Sequence, residues 1–400
     1  MTGIAPYTAG MARGLSEAYD VQVVTAHPHY PAWKVSEGHG GWRRSGLEDG
    51  VALERLKHLV PSQPTGISRI LSEATFAARA LAPGVKRPDA VVVVSPALLP
   101  VASALALGRR WRVPVGVVVQ DLYGKAFGEL GLLGGRLDRP VQALESNLLR
   151  RADGVVAIHQ RMADAIVRDL GIAADDVTVI PNWAHVQAPD GDRQRRRREL
   201  GWDDGRFVVT HAGNMGAKQG LDHLVTAAKR ASDIGAPVRF VMIGSGGARA
   251  ALEQSARGVS TIEFMDQLPG DQFMATLAAS DALLLHERPG MKEMCVPSKL
   301  TTYFAAGRPV IAATDGGSAG AFEVGASGAG VVAEPGAPEA LLAALDRLRL
   351  EDLDRLGAYG FEYARNQLSE QVALDRYRAW VEALLSSGNR CPTTPAVSEP

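Results

Sequence analysis

The sequence has little cysteine, almost no net charge and no leader-like apolar run at its start. Only Cys295 and Cys391 occur in 400 residues, which excludes a disulfide framework or a cysteine-based zinc cluster and favours the reducing cytoplasm. Lysine and arginine number 43 against 44 acidic residues, so bulk charge argues against a strongly basic nucleic-acid-binding protein. Because the opening residues have neither a charged leader nor an apolar core, we expect no signal peptide.

One uncharged run approaches the length of a membrane span. Residues 90–108 carry no charge, and a helix needs about 20 apolar residues to cross a bilayer. Pro96 and Pro100 interrupt this run, and the valine block before them favours a strand. We therefore predict a short buried strand, a turn and a helix in place of a membrane helix.

Short β-rich runs alternate with amphipathic helical patterns along the chain. Its length is too great for one hydrophobic core, so two or three domains are expected. The predicted strands are Val21–Thr25, Val51–Leu56, Ala90–Val94, Val115–Val119, Gly154–Ile158, Val177–Ile180, Phe207–His211, Val238–Ile243, Thr261–Phe264, Ala282–Leu285, Pro309–Ala312 and Gly330–Ala333. Helices are predicted at Gly10–Ala18, Leu221–Ala231 and Pro338–Leu348. Continuous apolar runs such as VVVV and VGVVV fit parallel strands covered on both faces, so the pattern predicts a doubly wound α/β architecture.

Two places depart from this alternation. A helical pattern precedes the first strand, whereas a doubly wound domain begins with a strand, so we expect the first strand of that domain to lie upstream of Met1. A polar, strand-free interval after Trp183 indicates a domain boundary. The basic run Arg193–Arg198 in this interval is interpreted as the solvated face of a linking helix, with a membrane-surface or anionic-partner patch as the alternative.

Several common chemistries are absent. Gly244-Ser245-Gly246 begins a dinucleotide fingerprint, but Arg249 stands where its third glycine belongs, and no GxxxxGK[ST] motif occurs. Residues 316–320 match GxSxG, yet a hydrolase needs a later histidine and the last one is His286. Two histidines, at 27 and 29, without a nearby third ligand do not indicate a metal site, and none is expected.

Three glycine-bearing segments follow predicted strands in the second half: His211–Gly220, Ile243–Ala250 and His286–Ile311. Ligands of open α/β sheets bind beyond the carboxyl ends of strands, where glycines allow close backbone approach and helix N-termini favour anions. Lys218 and Lys299 add positive charge for a diphosphate. Tight turns alone are the alternative explanation, but three such segments in register favour a nucleotide-diphosphate-sugar site.

At these segments the sequence resembles the GT-B-fold glycosyltransferases of family 4, and in particular their bacterial polysaccharide-assembly branch. The resemblance rests on GNMGAKQGLD, VRFVMIGSGGAR, LAASDALLL and VPSKL–YFAAGRPVIAATD, with GIAPYTAGMARGL, YDVQVVTAHPHYP and VVVQDLYGKAFGELG in the first half. It implies two Rossmann-like domains facing a cleft, with the donor held by the C-terminal one and the acceptor by the N-terminal one. It also implies retention of anomeric configuration without a metal ion or other cofactor.

The resemblance sets the domain plan. We predict an N-terminal acceptor-binding domain at 1–185, a linker at 186–206 and a nucleotide-sugar-binding domain at 207–367. A C-terminal helix at 368–386 is expected to cross back to the first domain, and the tail at 387–400 is expected to be disordered.

Two departures from the family pattern affect the donor site. Asn214 and Gln219 occupy positions that carry arginine and lysine in many members, so diphosphate binding is expected to shift to Lys218, Lys299 and backbone N–H groups. The family's Glu-x7-Glu pair is replaced by Met294 and Thr302. Glu287 and Glu293 are the nearby substitutes for the carboxylate that reads the ribose.

The sequence therefore predicts a retaining glycosyltransferase that uses a nucleotide-diphosphate sugar, with UDP-N-acetylhexosamine suggested by resemblance alone. Residues assigned to catalysis are Lys218, Lys299 and Asp121. Residues assigned to donor binding are Gly3, Gly213, Asn214, Gly216, Gln219, Gly244, Ser245, Gly246, Glu287, Glu293, Pro297, Ser298 and Thr302. Residues assigned to the acceptor side are Tyr7, His27 and Tyr30.

The expected acceptor is a glycan, a lipid-linked sugar or a small molecule. The enzyme is expected in the cytoplasm, with peripheral contact to the inner membrane face, and no nucleic acid is expected as a partner. A nucleotide-sugar epimerase of the same fold and a non-catalytic scaffold remain as alternatives.

Overall fold

The computed structural model describes residues 4–30, 32–62, 66–95, 97–122, 138–183, 192–216, 219–290 and 298–388. The chain divides into two compact units, one made of residues 1–182 and 371–400 and the other of residues 183–370. The tail predicted to be disordered lies outside the described residues from position 389 onward.

The N-terminal unit contains two sheets. Its strands are β1 (Gln22–Ala26), β2 (Arg43–Glu48), β3 (Val51–Leu56), β4 (Val91–Ser95), β5 (Val115–Val119), β6 (Gly154–Ala157) and β7 (Val177–Val179). Its helices are α1 (Ala5–Ser16), α2 (Gly66–Ala80), α3 (Leu98–Trp111), α4 (Asp138–Leu149) and α5 (Gln160–Leu170), followed by a 3-10 turn at Ala174–Asp176. One sheet has the order β1-β3-β2, and the other has the parallel order β4-β5-β6-β7.

The C-terminal unit is built on one parallel sheet of six strands. Its strands are β8 (Phe207–Ala212), β9 (Val238–Ile243), β10 (Ile262–Met265), β11 (Ala282–His286), β12 (Val310–Ala313) and β13 (Gly330–Ala333). Its helices are α6 (Arg193–Glu199), α7 (Leu221–Asp233), α8 (Arg249–Ser255), α9 (Gly270–Ala279), α10 (Ser298–Ala305), α11 (Ala319–Ser327), α12 (Pro338–Leu348) and α13 (Leu353–Gln367). The sheet order β10-β9-β8-β11-β12-β13 is that of a doubly wound fold, which confirms the predicted α/β class.

The continuous apolar strands form the centre of each unit because both of their faces are covered. β8 and β11 are buried along almost their whole length, and two apolar clusters pack on the two sides of their sheet. A separate cluster surrounds β5 and β6 in the N-terminal unit. This is the burial expected of parallel strands with helices on both faces.

The last helix, α14 (Glu370–Gly388), packs on the N-terminal unit. Its Trp380 lies against two strand glycines, where an added Cβ would stand 2.4 Å from the indole at Gly116 and 3.1 Å from it at Gly154. Arg378 also donates a hydrogen bond to the Gly14 carbonyl. The indole ring occupies the space of a side chain at Gly116 and leaves only a tight fit for a Cβ at Gly154.

Two features, one in an N-terminal sheet and one in helix α6, differ from the sequence prediction. β2 was not predicted, because its residues are all exposed and lack an apolar face. It pairs antiparallel with β3. The two strands are joined at Asp49-Gly50, and both of these residues have positive φ; an Asp-Gly pair is the sequence signal for such a hairpin turn.

The basic run Arg193–Arg198 lies in helix α6, and its face is only partly solvated. Arg193 and Arg197 bind the Asp281 carboxylate, and Arg196 binds Thr276.

Residues 90–108 contain β4 and most of α3, so the predicted strand and helix are confirmed. The turn predicted between them falls on Pro96, which lies outside the described residues. None of the helices in the described part of the chain combines the length and the apolar character needed to cross a bilayer.

Candidate functional site

The candidate site lies where the sheet of the C-terminal unit changes its winding direction. β8 pairs with β9 on one side and with β11 on the other, so the connections after β8 and β11 leave in opposite directions. Such a switch point opens a crevice beyond the carboxyl ends of the strands. The residues at these two ends are His211 and Ala212 on β8 and His286 on β11.

Two glycine loops are joined by backbone hydrogen bonds at this edge. The Gly213 N–H donates to the Ile243 carbonyl over 2.8 Å, and the Met215 N–H donates to the Ser245 carbonyl over 2.8 Å. Gly244 has φ of 131°, and a Cβ there would stand 2.2 Å from the Gly213 carbonyl oxygen. The glycines therefore allow the two loop backbones to approach each other.

Lys299 extends from the first turn of α10 across the first glycine loop. Its Nζ donates a hydrogen bond to His211 Nε2 over 3.0 Å. A Cβ on Gly213 would stand 3.0 Å from Lys299 Cε, so the lysine stem lies directly over that glycine. Burial lowers the pKa of Lys299 to about 8, an effect opposed by the nearby Glu287 carboxylate.

Glu287 follows β11 and provides the negative charge of the site. Its carboxylate accepts a hydrogen bond from the Thr314 hydroxyl, which lies 2.9 Å from Ser318 Oγ. Burial raises the pKa of Glu287, whereas the Thr314 hydrogen bond and Lys299 act in the opposite direction. Ser318 is the N-cap of α11, so the GxSxG serine has a structural role here.

Two histidines at the strand ends are held neutral. The Nδ1–H of His211 donates to the Leu284 carbonyl over 3.0 Å, and the Nδ1–H of His286 donates to the Gln219 carbonyl over 2.8 Å. Burial is the main cause that lowers the pKa of His211 well below its usual value and that of His286 to about 4. These donations leave Nε2 as the acceptor atom of each ring.

The structure brings together many of the predicted donor residues. Those at this edge of the sheet are Gly213, Asn214, Gly216, Gln219, Gly244, Ser245, Gly246, Glu287 and Lys299. Gln219 closes the first loop, since its side-chain oxygen accepts from the Gly216 N–H over 3.0 Å. Ser298 begins α10, and Thr302 is half-buried on the same helix. Predicted residues that lie outside the described ranges are Gly3, Lys218, Glu293 and Pro297.

The remaining predicted residues belong to the N-terminal unit. Asp121 follows β5 by two residues, next to Gln120, whose side chain exchanges hydrogen bonds of 3.2 and 2.8 Å with Asn182. Tyr7 is half-buried on α1, and Tyr30 is 61% exposed.

His27 acts electrostatically on His58, together with His29. It is buried, with Nε2 3.1 Å from the Gly41 carbonyl oxygen. The rings of His29 and His58 are 5.0 Å apart, and burial, followed by His29 and His27, lowers the pKa of His58 to about 4. Within the described ranges, no group of three or more His, Cys, Asp or Glu side chains is arranged to hold a metal ion.

Sequence reasoning missed the buried polar residues of the donor-side cluster. His211, His286 and Thr314 are each at most 2% exposed, and they stand at or just after the carboxyl ends of β8, β11 and β12. Polar residues at the ends of otherwise apolar strands are the signal that points to them, because a buried polar group needs a partner.

Two family models match the chain in succession. The glycosyl transferase 4-like domain matches residues 2–183, and the glycosyl transferases group 1 domain matches residues 206–351. The putative colanic acid biosynthesis glycosyl transferase WcaI of Escherichia coli K12 is 30% identical over 393 residues, which cover 94% of this chain and 95% of that protein.

Solved structures with the same fold are more distant in sequence. Sucrose-phosphate synthase from Thermosynechococcus elongatus gives a TM-score of 0.72 at 16% identity and covers 96% of this chain and 94% of that one. HepE of Anabaena in complex with UDP-glucose gives a TM-score of 0.59 at 17% identity, and the match covers 84% of this chain and 87% of that one. With two matching domains and a relative aligned along almost its whole length, the chain belongs to the GT-B-fold glycosyltransferases of family 4, enzymes that take a sugar from a nucleotide-sugar donor.

Proposed function

We propose that this enzyme is a retaining glycosyltransferase that moves a hexose or N-acetylhexosamine from a UDP-sugar to a glycan or lipid-linked acceptor during polysaccharide assembly. The observation that carries the donor assignment is the Lys299 ammonium lying over Gly213 at the switch point of the C-terminal sheet. The UDP-glucose complex of HepE supports a UDP-sugar as the donor. The name of WcaI, which refers to colanic acid biosynthesis, supports a role in polysaccharide assembly.

The proposed chemistry is the departure of a nucleoside diphosphate. The bond from the anomeric carbon to the diphosphate oxygen breaks as the bond to the acceptor hydroxyl oxygen forms. Negative charge grows on the departing diphosphate, which takes up the proton that the acceptor hydroxyl loses. A pre-organised cation and backbone N–H groups stabilise that charge in a partly buried site. Lys299 and the glycine loops supply these groups, with Lys218 as the second cation. We therefore propose that transfer requires no metal ion.

The test is an assay of purified protein with UDP-sugars and candidate acceptors, in the presence of a chelator. We expect acceptor-dependent release of UDP and a glycoside product with the anomeric configuration of the donor. Formation of an epimer from the donor alone would identify an epimerase instead, and absence of any donor-dependent product would identify a scaffold.

We propose that another carboxylate binds the donor ribose, because this chain has Thr302 where many family members have the ribose-binding glutamate. A carboxylate accepts from both ribose hydroxyls, whereas a threonine hydroxyl has one oxygen. Such bonds to a charged group contribute about 1.5–3 kcal/mol, so its conversion to an amide is expected to weaken UDP binding about tenfold. Glu293 and Glu287 are the candidates, and Glu293 is favoured because it precedes Lys299 by six residues.

Calorimetric titration of UDP into Glu293→Gln, Glu287→Gln and Thr302→Glu proteins distinguishes these residues. UDP lacking its ribose hydroxyls is the matched ligand, because it is indifferent to the ribose carboxylate. If both glutamine variants bind UDP normally and Thr302→Glu gains no affinity, no carboxylate contacts the ribose.

We also propose that the N-terminal unit contacts the cytoplasmic face of the membrane without entering it. Seven of the thirteen exposed large apolar side chains in the described part of the chain lie between residues 30 and 81, namely Tyr30, Trp42, Leu47, Leu59, Ile70, Leu71 and Leu81. Residues 34–87 contain nine lysines and arginines against five acidic residues. Exposed apolar side chains in a stretch of sequence with excess positive charge suit an anionic lipid surface.

Vesicle flotation tests this contact. We expect the protein to float with vesicles that contain phosphatidylglycerol and not with pure phosphatidylcholine vesicles. The double variant Trp42→Ser and Leu71→Ser should lose flotation, whereas Leu350→Ser, at a position 89% exposed in the other unit, should not. Equal flotation of all three proteins argues against this surface.

A further inference from the structure

His211 makes two hydrogen bonds whose chemistry fixes the role of each ring nitrogen. Nδ1 lies 3.0 Å from the Leu284 carbonyl oxygen, which is an acceptor only, so Nδ1 carries the proton. Nε2 is then a lone-pair acceptor, and it lies 3.0 Å from Lys299 Nζ. The Leu284 carbonyl on β11 thus fixes the His211 tautomer, and in that tautomer Nε2 accepts a hydrogen bond from the Lys299 ammonium on α10.

A neutral partner has a different effect on the lysine from that of a carboxylate. A carboxylate cancels the ammonium charge, whereas an imidazole lone pair holds the ammonium in place and leaves the positive charge available. Glu287 is the competing partner, since its carboxylate acts electrostatically on Lys299. The ammonium has three protons, so one bond to His211 leaves capacity for ligand oxygens.

We propose that His211 is a positioning residue that holds the Lys299 ammonium over the Gly213 loop and away from Glu287, as a charged donor for the diphosphate of the nucleotide sugar. This inference rests on the proposed function, because it assigns the task that His211 supports. It explains why a fully buried histidine interrupts the apolar strand β8, where an aliphatic residue would pack with less need for partners.

The titratable groups around Lys299 come from four parts of the C-terminal unit: β8, the end of β11, helix α7 and the loop after β12. His211 belongs to β8, His286 and Glu287 belong to the end of β11, and Asp222, His223 and Asp315 lie in the next layer around these residues. Burial keeps the pKa of both His211 and His286 far below neutrality. Neither histidine therefore contributes to a titration of ligand binding above pH 7.

Two substitutions separate the positioning role from a structural one. His211→Asn keeps a side-chain amide near Nδ1, where it donates to the Leu284 carbonyl, but leaves no acceptor at the Nε2 position. His211→Gln is one methylene longer and returns an oxygen to the Nε2 position. Tyr303→Phe is the matched control, because the buried Tyr303 hydroxyl also contacts the Leu284 carbonyl, over 3.3 Å, and packs without a bond to Lys299.

Titration of UDP into the four full-length proteins between pH 7 and 9.5 is the test. We expect His211→Asn to weaken UDP binding about tenfold at pH 7.5 through loss of a charge-assisted hydrogen bond, and His211→Gln to stay within about threefold of wild type. The alkaline midpoint of binding should rise in His211→Asn, because the freed ammonium pairs with Glu287. Tyr303→Phe should lower thermal stability and leave both quantities unchanged.

A measurement on protein with native His211 does not depend on the folding of the histidine variants. In spectra of protein labelled with ¹⁵N-histidine, the Nε2 signal of His211 should be that of an unprotonated nitrogen and should shift in Lys299→Met. An unchanged signal in that variant, or an His211→Asn protein that is less stable yet binds UDP with wild-type affinity and pH midpoint, overturns the inference. Failure of the wild-type protein to bind UDP would instead contradict the proposed function itself, and this inference with it.

Discussion

Replacing Lys299 by methionine is expected to lower the turnover of sugar transfer at least about 100-fold, because loss of one pre-organised donor to a developing anion has effects of this size. Methionine preserves the stem that lies over Gly213 and removes only the charge. The glycine loops and Glu287 remain, so the variant should fold. Initial-rate kinetics at saturating donor give the turnover number.

The same substitution is expected to stabilise the protein. Burial lowers the pKa of Lys299 from 10.5 to about 8, and each pKa unit corresponds to about 1.4 kcal/mol. The charged lysine therefore destabilises the fold by about 3 kcal/mol at pH 7, a figure that already includes its attraction to Glu287. Loss of the hydrogen bond between Lys299 and His211 offsets part of the resulting gain in the variant. We expect a net gain of about 1–2 kcal/mol in the free energy of unfolding of Lys299→Met.

The pH dependence of that gain has a definite sign. Between pH 8 and 10.5 the unfolded chain binds more protons at this lysine than the folded protein, so wild-type stability rises with pH over this range. The gain in Lys299→Met should thus be constant below pH 8 and shrink towards pH 10.5. Urea denaturation at several pH values gives the unfolding free energies.

Activity should have the opposite dependence on pH. Donor binding requires the charged lysine, so kcat/KM is expected to fall through a midpoint near pH 8, set by the free enzyme. The matched control is Lys229→Met, because Lys229 is an exposed lysine on α7 that contacts Ser255. If Lys299→Met retains half of the wild-type turnover, or if Lys229→Met has a comparable defect, Lys299 is not the diphosphate-binding cation.

The sequence was sufficient for the parts of the fold and site that depend on local pattern. Valine-rich runs gave the strands because a buried parallel strand is apolar on both faces, and glycines after these runs marked the loops at the switch point. Lys299 was found because it lies within a glycine-bearing segment, His286–Ile311, that follows a predicted strand. The exposed hairpin strand β2 has no apolar face, and only its Asp49-Gly50 turn pointed to it.

The partners across the sheet were beyond the reach of local pattern. His211 stands 73 residues from Leu284 and 88 from Lys299. Their contact depends on the pairing of β8 with β11, three strands further along the chain, in addition to its pairing with the next strand, β9. A histidine within FVVTHA is indistinguishable from a core residue until that pairing is known. The order in which strands pair is set by the whole sheet, so the hydrogen bonds of His211 with Leu284 and Lys299 could be recognised only in the structure.

Gly244→Ala is expected to disable donor binding through the backbone, whereas Gly247→Ala, in the same loop, is expected to be silent. The backbone at Gly244 has φ of 131°, which an alanine adopts at a cost of about 1–3 kcal/mol. The added methyl group would also stand 2.2 Å from the Gly213 carbonyl oxygen. Since that atom belongs to backbone, the contact is relieved only by moving the loop that carries Gly213 under Lys299.

The two alanine variants therefore differ in backbone strain and in the clash of the added methyl group. At Gly247 an added Cβ meets nothing within 4 Å, and a substitution of this kind changes stability by about 0.5 kcal/mol or less. We expect Gly244→Ala to lose about 2 kcal/mol or more of unfolding free energy and to bind UDP at least about tenfold more weakly, while Gly247→Ala matches wild type in both. Normal UDP affinity in a destabilised Gly244→Ala protein would show that contact between the two glycine loops supports the fold alone, and the donor diphosphate would then have to lie elsewhere along the carboxyl edge of the sheet.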